Sequence, residues 1–268
     1  MSAAERVEPV ETSPTKRKRH RGRTVIIVLA VIVVLLVAGG VILDNVARGY
    51  AEGLIQSKVR SALSVSDSTP VDVKVDGTSV LYQLATGSLE RVDVDLPKAS
   101  IGELTGSAKL TVRGIPVDQT KPIAGGTLVV STDQAGLREL LKSFSGIPVT
   151  SVDLVDGAVR LGGSFDIFGV KIPVKVTLTP GAKNGQLTLT PKSFEVNGST
   201  FTAAQLSKTF GALASGLTGT QSLCIATMLP RPLHLQSLVI TGTTVTVSGS
   251  IAPVVLNEQA FTTKGTCP

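Results

Sequence analysis

Tryptophan is absent from this chain of 268 residues, and aromatic residues make up only 3 per cent of it. Single-stranded nucleic acid is bound by stacking bases on aromatic side chains, so the composition argues against that function class. Sugar-binding platforms built on tryptophan are excluded. Histidine is scarce: His20 lies near the N-terminus and His234 near the other end. One histidine and two distant cysteines, Cys224 and Cys267, do not make a zinc cage. The sequence contains no G-x-S-x-G elbow, P-loop, H-E-x-x-H or C-x-x-C. Neither metal nor cofactor is expected.

Charge is also sparse where it would matter. The chain carries 26 basic and 20 acidic residues, a net of +6. Residues 1–43 hold seven of the basic and three of the acidic ones, which leaves 19 against 17 beyond them. The larger part is therefore close to neutral and has no strong field to steer a charged partner. No nucleic-acid partner is expected.

What the sequence does have is one long apolar run. Thr24 to Leu43 are twenty residues without a charge, long enough to cross a bilayer core of about 30 Å. A secretory signal has an apolar stretch of only about 7–15 residues before its cleavage site, so the run reads as a retained anchor. Ile, Val and Leu occupy all its faces, unlike a helix with one buried stripe. Lys16, Arg17, Lys18, Arg19, Arg21 and Arg23 precede it, whereas Arg48, Lys58 and Arg60 follow, diluted by Asp44 and Glu52. Such asymmetry keeps the basic side in the cytoplasm. The expected organisation is a disordered basic tail (1–23), a transmembrane helix (24–43) and an extracytoplasmic domain (44–268) of the cytoplasmic membrane. Outside the cytoplasm, an even pair of cysteines implies a Cys224–Cys267 disulfide, two unpaired thiols being the alternative.

Beyond the anchor, Ala47, Ala51, Ile55, Val59 and Ala62 recur at helical spacing, with Tyr50 and Leu54 beside them, until "SVSDSTP" stops the helix. The period then becomes two. Val71, Val73 and Val75 share one strand face, and Val92, Val94 and Leu96 another. "AKLTVRGIPVD" and "GGTLVVST" follow as strands. A helix capped by Thr132 or Asp133 carries Leu137, Leu140, Leu141 and Phe144. Asp156-Gly157, Asn184-Gly185 and Asn197-Gly198 mark turns. "FDIFGVKIPVKVTL" reads as a long strand or a bent pair, with Pro173 at an edge or bulge. A further helix carries Leu206, Phe210, Leu213 and Leu217, and "RPLHLQSLVI" and "TTVTVSGSI" close the chain as strands. The pattern predicts an α+β fold with a long, largely antiparallel sheet and a few helices on it.

Catalytic groups are hard to find. His234 lies opposite Leu233 and Leu235, as a solvent-facing strand residue does. Asp93 and Asp95 share the wet face of a strand, and Asp153 and Asp156 flank a turn. Paired carboxylates can do acid–base work, but these positions have plainer structural roles, and no enzyme is expected. Aliphatic strands and two apolar-faced helices permit an apolar groove without requiring one.

The stretch "VLYQLATGSLERVDVDLPKASIGELTGSAKLTVRGIPVD" resembles the LmeA family of actinobacterial phospholipid-binding envelope proteins, through Leu81, Gln83, Leu84, Gly87, Leu89, Val92 and Val94. "LVDGAVRLGG", "VKVTLTP", "NGQLTLTP" and "LPRPLHLQSLVITGTTVTVSGS" are similar to that family's later strands. The resemblance implies a phospholipid partner, a possible role in lipid transport or lipoglycan assembly, and a curved sheet around a long helix, as in tubular lipid-binding proteins of the bactericidal/permeability-increasing type. It brings no catalytic residue and names no protein partner. The alternative is an envelope scaffold that binds no lipid. The lipid site is then expected where apolar faces converge: Val92, Val94, Val170, Ile172 and Val174 on strands, Leu137, Leu141 and Phe144 on one helix, and Leu206, Phe210 and Leu213 on another.

Overall fold

Alternation of valine with charge lays down strands from Pro70 onward, and the alanine-rich stripe before it forms the helix that covers them. The computed structural model describes residues 21–63, 69–101, 104–143, 149–167, 170–183, 185–211 and 218–267. Helix α1 (Arg21–Leu63) contains both the uncharged run and the stripe. The chain divides into two compact units, residues 1–45 and 46–268. In the first, the described apolar side chains of α1 stand exposed on all its faces.

The second unit begins with β1 (Asp72–Asp76), a short helix α2 (Val80–Thr86), the long hairpin of β2 (Ser88–Ile101) and β3 (Leu104–Pro116), then β4 (Gly125–Asp133) and helix α3 (Gln134–Ser143). It continues with β5 (Val149–Val155), β6 (Ala158–Ile167), β7 (Val170–Lys183), β8 (Gln186–Val196), β9 (Ser199–Thr202), helix α4 (Ala203–Phe210), β10 (Gln221–Leu223), β11 (Leu233–Thr241), β12 (Thr244–Ile251) and a last turn of helix, α5 (Glu258–Thr262).

These strands build two antiparallel sheets, where the sequence pattern had suggested one. The first runs β1-β2-β3-β4-β12-β11; the second runs β10-β8-β7-β6-β5, with β9 paired to β8. The division arises because α3 interrupts the meander after β4, and because β12 returns to pair with β4 across more than a hundred residues, bringing β11 with it at the sheet's edge. Local periodicity records which way a side chain faces, not which strand lies next to it. Pro97 sits at the register shift between Leu96 and Ala99, where a missing N–H is tolerated.

The main core lies between the first sheet and the α1 stripe. Val71, Val75, Val80, Leu89, Val92, Val94, Leu96 and Ala108 are buried, with Ala47, Ala51, Ile55 and Val59 packed against them. Two alanines in the stripe let the helix approach closely. β1 is an edge strand, and α1 supplies what its open side lacks. Arg48 donates to the carbonyls of Val75 and Gly77, the Glu52 carboxylate accepts from Val75 N–H at 2.9 Å, and Gln56 donates to the carbonyl of Val71. The edge is thereby satisfied from within the chain and withheld from other strands.

Helix α2 was not anticipated from periodicity, since seven residues are too few to show a stripe. Its signals are local. The Ser79 hydroxyl accepts from Tyr82 N–H at 3.2 Å, and Gly87 ends the helix at φ +84°, a left-handed position suited to glycine. Gln83 on its inner side is 2 % exposed. Its amide donates to the Asp76 carbonyl at 3.1 Å and accepts from Glu90 N–H at 2.7 Å, joining the end of β1 to the start of β2. Gln83→Leu leaves both backbone groups without that partner, and should cost about 1–3 kcal/mol in chemical denaturation of the detergent-solubilised chain.

Asp156 and Asn197 adopt positive φ (49° and 47°), each followed by glycine, in the hairpins β5–β6 and β8–β9 as their dipeptides predict. "FDIFGVKIPVKVTL" is the bent pair, since Ile167 pairs with Val170 across the β6–β7 connection. Pro173 lies one residue before the first β7–β8 pair, Val174–Val196, a local edge. Cys224 and Cys267 form a disulfide. It closes a loop of 43 residues and pins the C-terminal segment, which also pairs through the Pro230–Lys264 bridge. Reduction should lower stability by no more than about 4 kcal/mol, and thiol labelling of the denatured, unreduced chain should find no free thiol. Two labelled cysteines would refute it.

Candidate functional site

Pairing register assembles an apolar face on the second sheet. Row by row, Leu154, Val159, Leu178 and Pro191 lie abreast, as do Val152, Leu161, Val176 and Phe194, and then Gly163, Val174 and Val196. Pairs directly opposite share a face in an antiparallel ladder, so these residues form one aliphatic surface across β5 to β8. Leu189 and Leu187, opposite Pro180 and Ala182, extend it along β8. Val152 and Pro191 are buried, while the other side chains are half-buried, with Val196 more open still. The intervening positions of β7, Lys175, Thr177 and Thr179, give the opposite face a polar character, and Lys175 pairs with Glu195 there at 2.9 Å. No charged residue falls within the apolar rows.

Two helices border this sheet. α3 packs on β5 and also on β3, β4 and β12 of the first sheet, so it bridges the two. Asp133 caps it by accepting from Gly136 N–H at 2.8 Å. Gly136 permits the close approach: a Cβ there would stand 2.5 Å from the Thr105 carbonyl oxygen. α4 packs on β8 and β9 and begins with a capping box between Thr202 and Gln205. Strand β11 of the first sheet touches β7 and β8.

The structure divides the expected lipid-site residues into two groups. Val92 (2 % exposed) and Val94 (4 % exposed) belong to the core against α1. Ile172 and Val174 are half-buried on the apolar face of β7, and Val170 starts that strand opposite Ile167. Leu137 and Leu141 are half-buried on α3, as is Leu206 on α4, whose last residue is Phe210. Phe144, Leu213 and Leu217 lie outside the described residues, as does the basic tail before Arg21. Sequence reasoning missed Leu154, Val159, Leu161, Leu187, Leu189 and Phe194 as neighbours of β7. Each stands in a period-two stretch, but only the register shows that they share one face.

The carboxylates have structural partners. Asp93 accepts from Arg91 at 2.8 Å and from the Thr111 hydroxyl, and Asp95 pairs with Lys109 at 2.9 Å. Asp153 accepts from the Gln134 amide at 3.3 Å. Burial pushes the Asp93 carboxyl up, but the hydrogen bonds from Arg91 and Thr111 outweigh it and hold the group below the usual carboxylate value. A depressed folded value stabilises the protein above the ordinary carboxylate pKa, and this is lost as pH falls through the folded one. Asp93→Asn should therefore be less stable than wild type at pH 7 by at most about 1 kcal/mol, with the difference shrinking as pH falls below the ordinary carboxylate range. A difference that persists in acid would refute it.

His234 is exposed and lines a cavity of about 140 Å³ with Gly185, Ala226, Leu229, Leu233, Leu235, Thr266 and Cys267. This lining includes the Thr266 hydroxyl but no carboxylate to orient the imidazole as a triad requires. Among the described residues, no cluster of His, Cys, Asp and Glu could hold a metal ion.

No curated protein and no solved structure matches the chain. The profile of the LmeA-like phospholipid-binding family matches residues 42–250, from the end of the apolar run through the last strand of the first sheet. The chain belongs to the LmeA-like phospholipid-binding family.

Proposed function

We propose that this chain binds a phospholipid on the apolar face of its second sheet and is held by its N-terminal helix on the outer side of the cytoplasmic membrane. The observation that carries the reading is the aliphatic surface of β5 to β8, half-buried and free of charge, in a member of a phospholipid-binding family. An acyl chain needs such a surface. Each methylene withdrawn from water contributes about 0.8 kcal/mol, whereas a polar group buried there without a partner would cost about 1–3 kcal/mol. Affinity then comes mainly from the tails. Ile172, Val174 and Val176, with Leu137 and Leu141 on α3 and Leu206 on α4, are the residues we assign to the lipid. Val92 and Val94, in the core of the first sheet against α1, are not assigned to it. The α1 stripe laid on the first sheet supports kinship with tubular lipid-binding folds, and a role in lipid or lipoglycan assembly of the envelope fits such a carrier. The partners placed on Asp93, Asp95 and Asp153 support a protein that performs no catalysis.

The anchor reading rests on the apolar length of α1, which among the described residues is long enough to span a bilayer. The Lys/Arg asymmetry supports the orientation, and the disulfide suits an oxidising compartment. Protease added to cells stripped of their wall should digest residues 44–268; protection of that segment would overturn the orientation. Phospholipid should remain with the purified full chain after exhaustive detergent exchange, which strips lipid from an anchor, in about equimolar amount by mass spectrometry. A chain without lipid would favour a scaffold.

A further inference from the structure

The apolar face of the second sheet runs on past its strands. Ala182, Leu187 and Leu223 lie abreast on that face across β7, β8 and β10. Two residues before Leu187 and three after Leu223, at Gly185 and Ala226, the chain lines the cavity of about 140 Å³. Leu229, Leu233 and Leu235 complete its apolar lining, and Cys267, bonded to Cys224, forms part of the wall. No Asp, Glu, Lys or Arg lines it, and its two polar residues, His234 and Thr266, are the exposed ones. We infer that this cavity is the terminal pocket of the lipid site, which receives the methyl end of one acyl chain and sets the chain length that the protein prefers. The inference rests on the lipid reading proposed above.

Reach and size select this occupant. From Val176 to Ala182, β7 runs along the face for about 20 Å. An acyl chain fills one leaflet of a bilayer core about 30 Å thick, so it spans about 15 Å there and more when straight. A tail laid on the β7 face from Val176 therefore brings its last carbons to the β7–β8 turn. The cavity is close in volume to the roughly 150 Å³ of apolar space that holds a six-carbon ring in a protein interior, which gives room for about the last five or six carbons. Small residues keep it open where the face meets it. A Cβ on Gly185 would meet no atom within 4 Å, and Ala226 carries a single methyl group. Each methylene seated in the cavity tightens binding about fourfold. That gain ends at the exposed His234 and Thr266, where a longer chain would pass back into water.

Substitutions of opposite sense test the assignment. Ala226→Leu fills the cavity by the volume of about three carbons, and Leu229→Ala enlarges it by as much. The detergent-solubilised full chain is offered an equimolar ladder of phosphatidylglycerols with saturated chains of about 12 to 18 carbons. After exhaustive detergent exchange, the retained lipid is read by mass spectrometry. The preferred chain should be shorter than that of wild type by about two to four carbons in Ala226→Leu, and longer by as much in Leu229→Ala. Circular dichroism checks that each variant is folded; if Ala226→Leu is not, the lengthening in Leu229→Ala decides alone. Folded variants that keep the wild-type length overturn the inference and leave the lipid reading standing. A wild type that retains every length equally overturns it as well. A wild type that retains no lipid at all overturns the lipid reading, and the inference with it.

Discussion

Val174→Lys leaves the domain folded and deprives it of phospholipid. Val174 is half-buried on the apolar face of β7, opposite Gly163, which has no side chain, and Val196, which is partly open to solvent. A lysine stem has room there and can carry its ammonium to the rim, so the loss of stability should stay within about 1.5 kcal/mol. The same ammonium in the path of an acyl chain costs about 2.5–3.5 kcal/mol, on the order of a hundredfold in affinity. Ile172→Lys, two residues along the same face, should act alike. A folded variant with undiminished lipid would show that the tails lie elsewhere.

Val94→Lys should instead unfold the domain. Val94 is 4 % exposed, among Val75, Val80 and Val92 under the α1 stripe. The Glu52 carboxylate beside this core already accepts from Val75 N–H, and a buried ammonium without a partner of its own costs about 4 kcal/mol, a large share of the total stability of an ordinary domain. Limited proteolysis and far-ultraviolet circular dichroism should show loss of the fold, with no folded, lipid-free state in between. The contrast with Val174→Lys separates filled core from lipid surface by a single substitution type. If Val94→Lys folds and merely loses lipid, the site extends beneath α1.

Much of this was legible in the sequence because it is local. The α1 stripe of Ala47, Ala51, Ile55 and Val59, the inward faces of β1 and β2, a cap at Thr132 or Asp133, which the structure resolves as Asp133, and the two glycine hairpins follow from spacing and turn chemistry. The disulfide followed from counting two cysteines and placing them outside. What was not legible is non-local. Val92 and Val174 have the same local pattern, yet one lies on the first sheet against α1 and the other on the second. The return of β12 to β4, with β11 beyond it, helps to separate the sheets, and no periodicity encodes it. α2 was missed because seven residues are too few to show a stripe, and one of its two buried positions is the polar Gln83.

The most direct test of the account is photo-crosslinking with a phospholipid that carries a diazirine on its acyl chain, followed by peptide mapping of the full chain in vesicles. With the proposed anchor in the bilayer, lipid around it labels residues 24–43 whether or not the domain binds lipid. The account predicts a second set of adducts on the strands between Val152 and Val196, lost in Val174→Lys. Adducts confined to the α1 peptides, with none on β5 to β8, would contradict it.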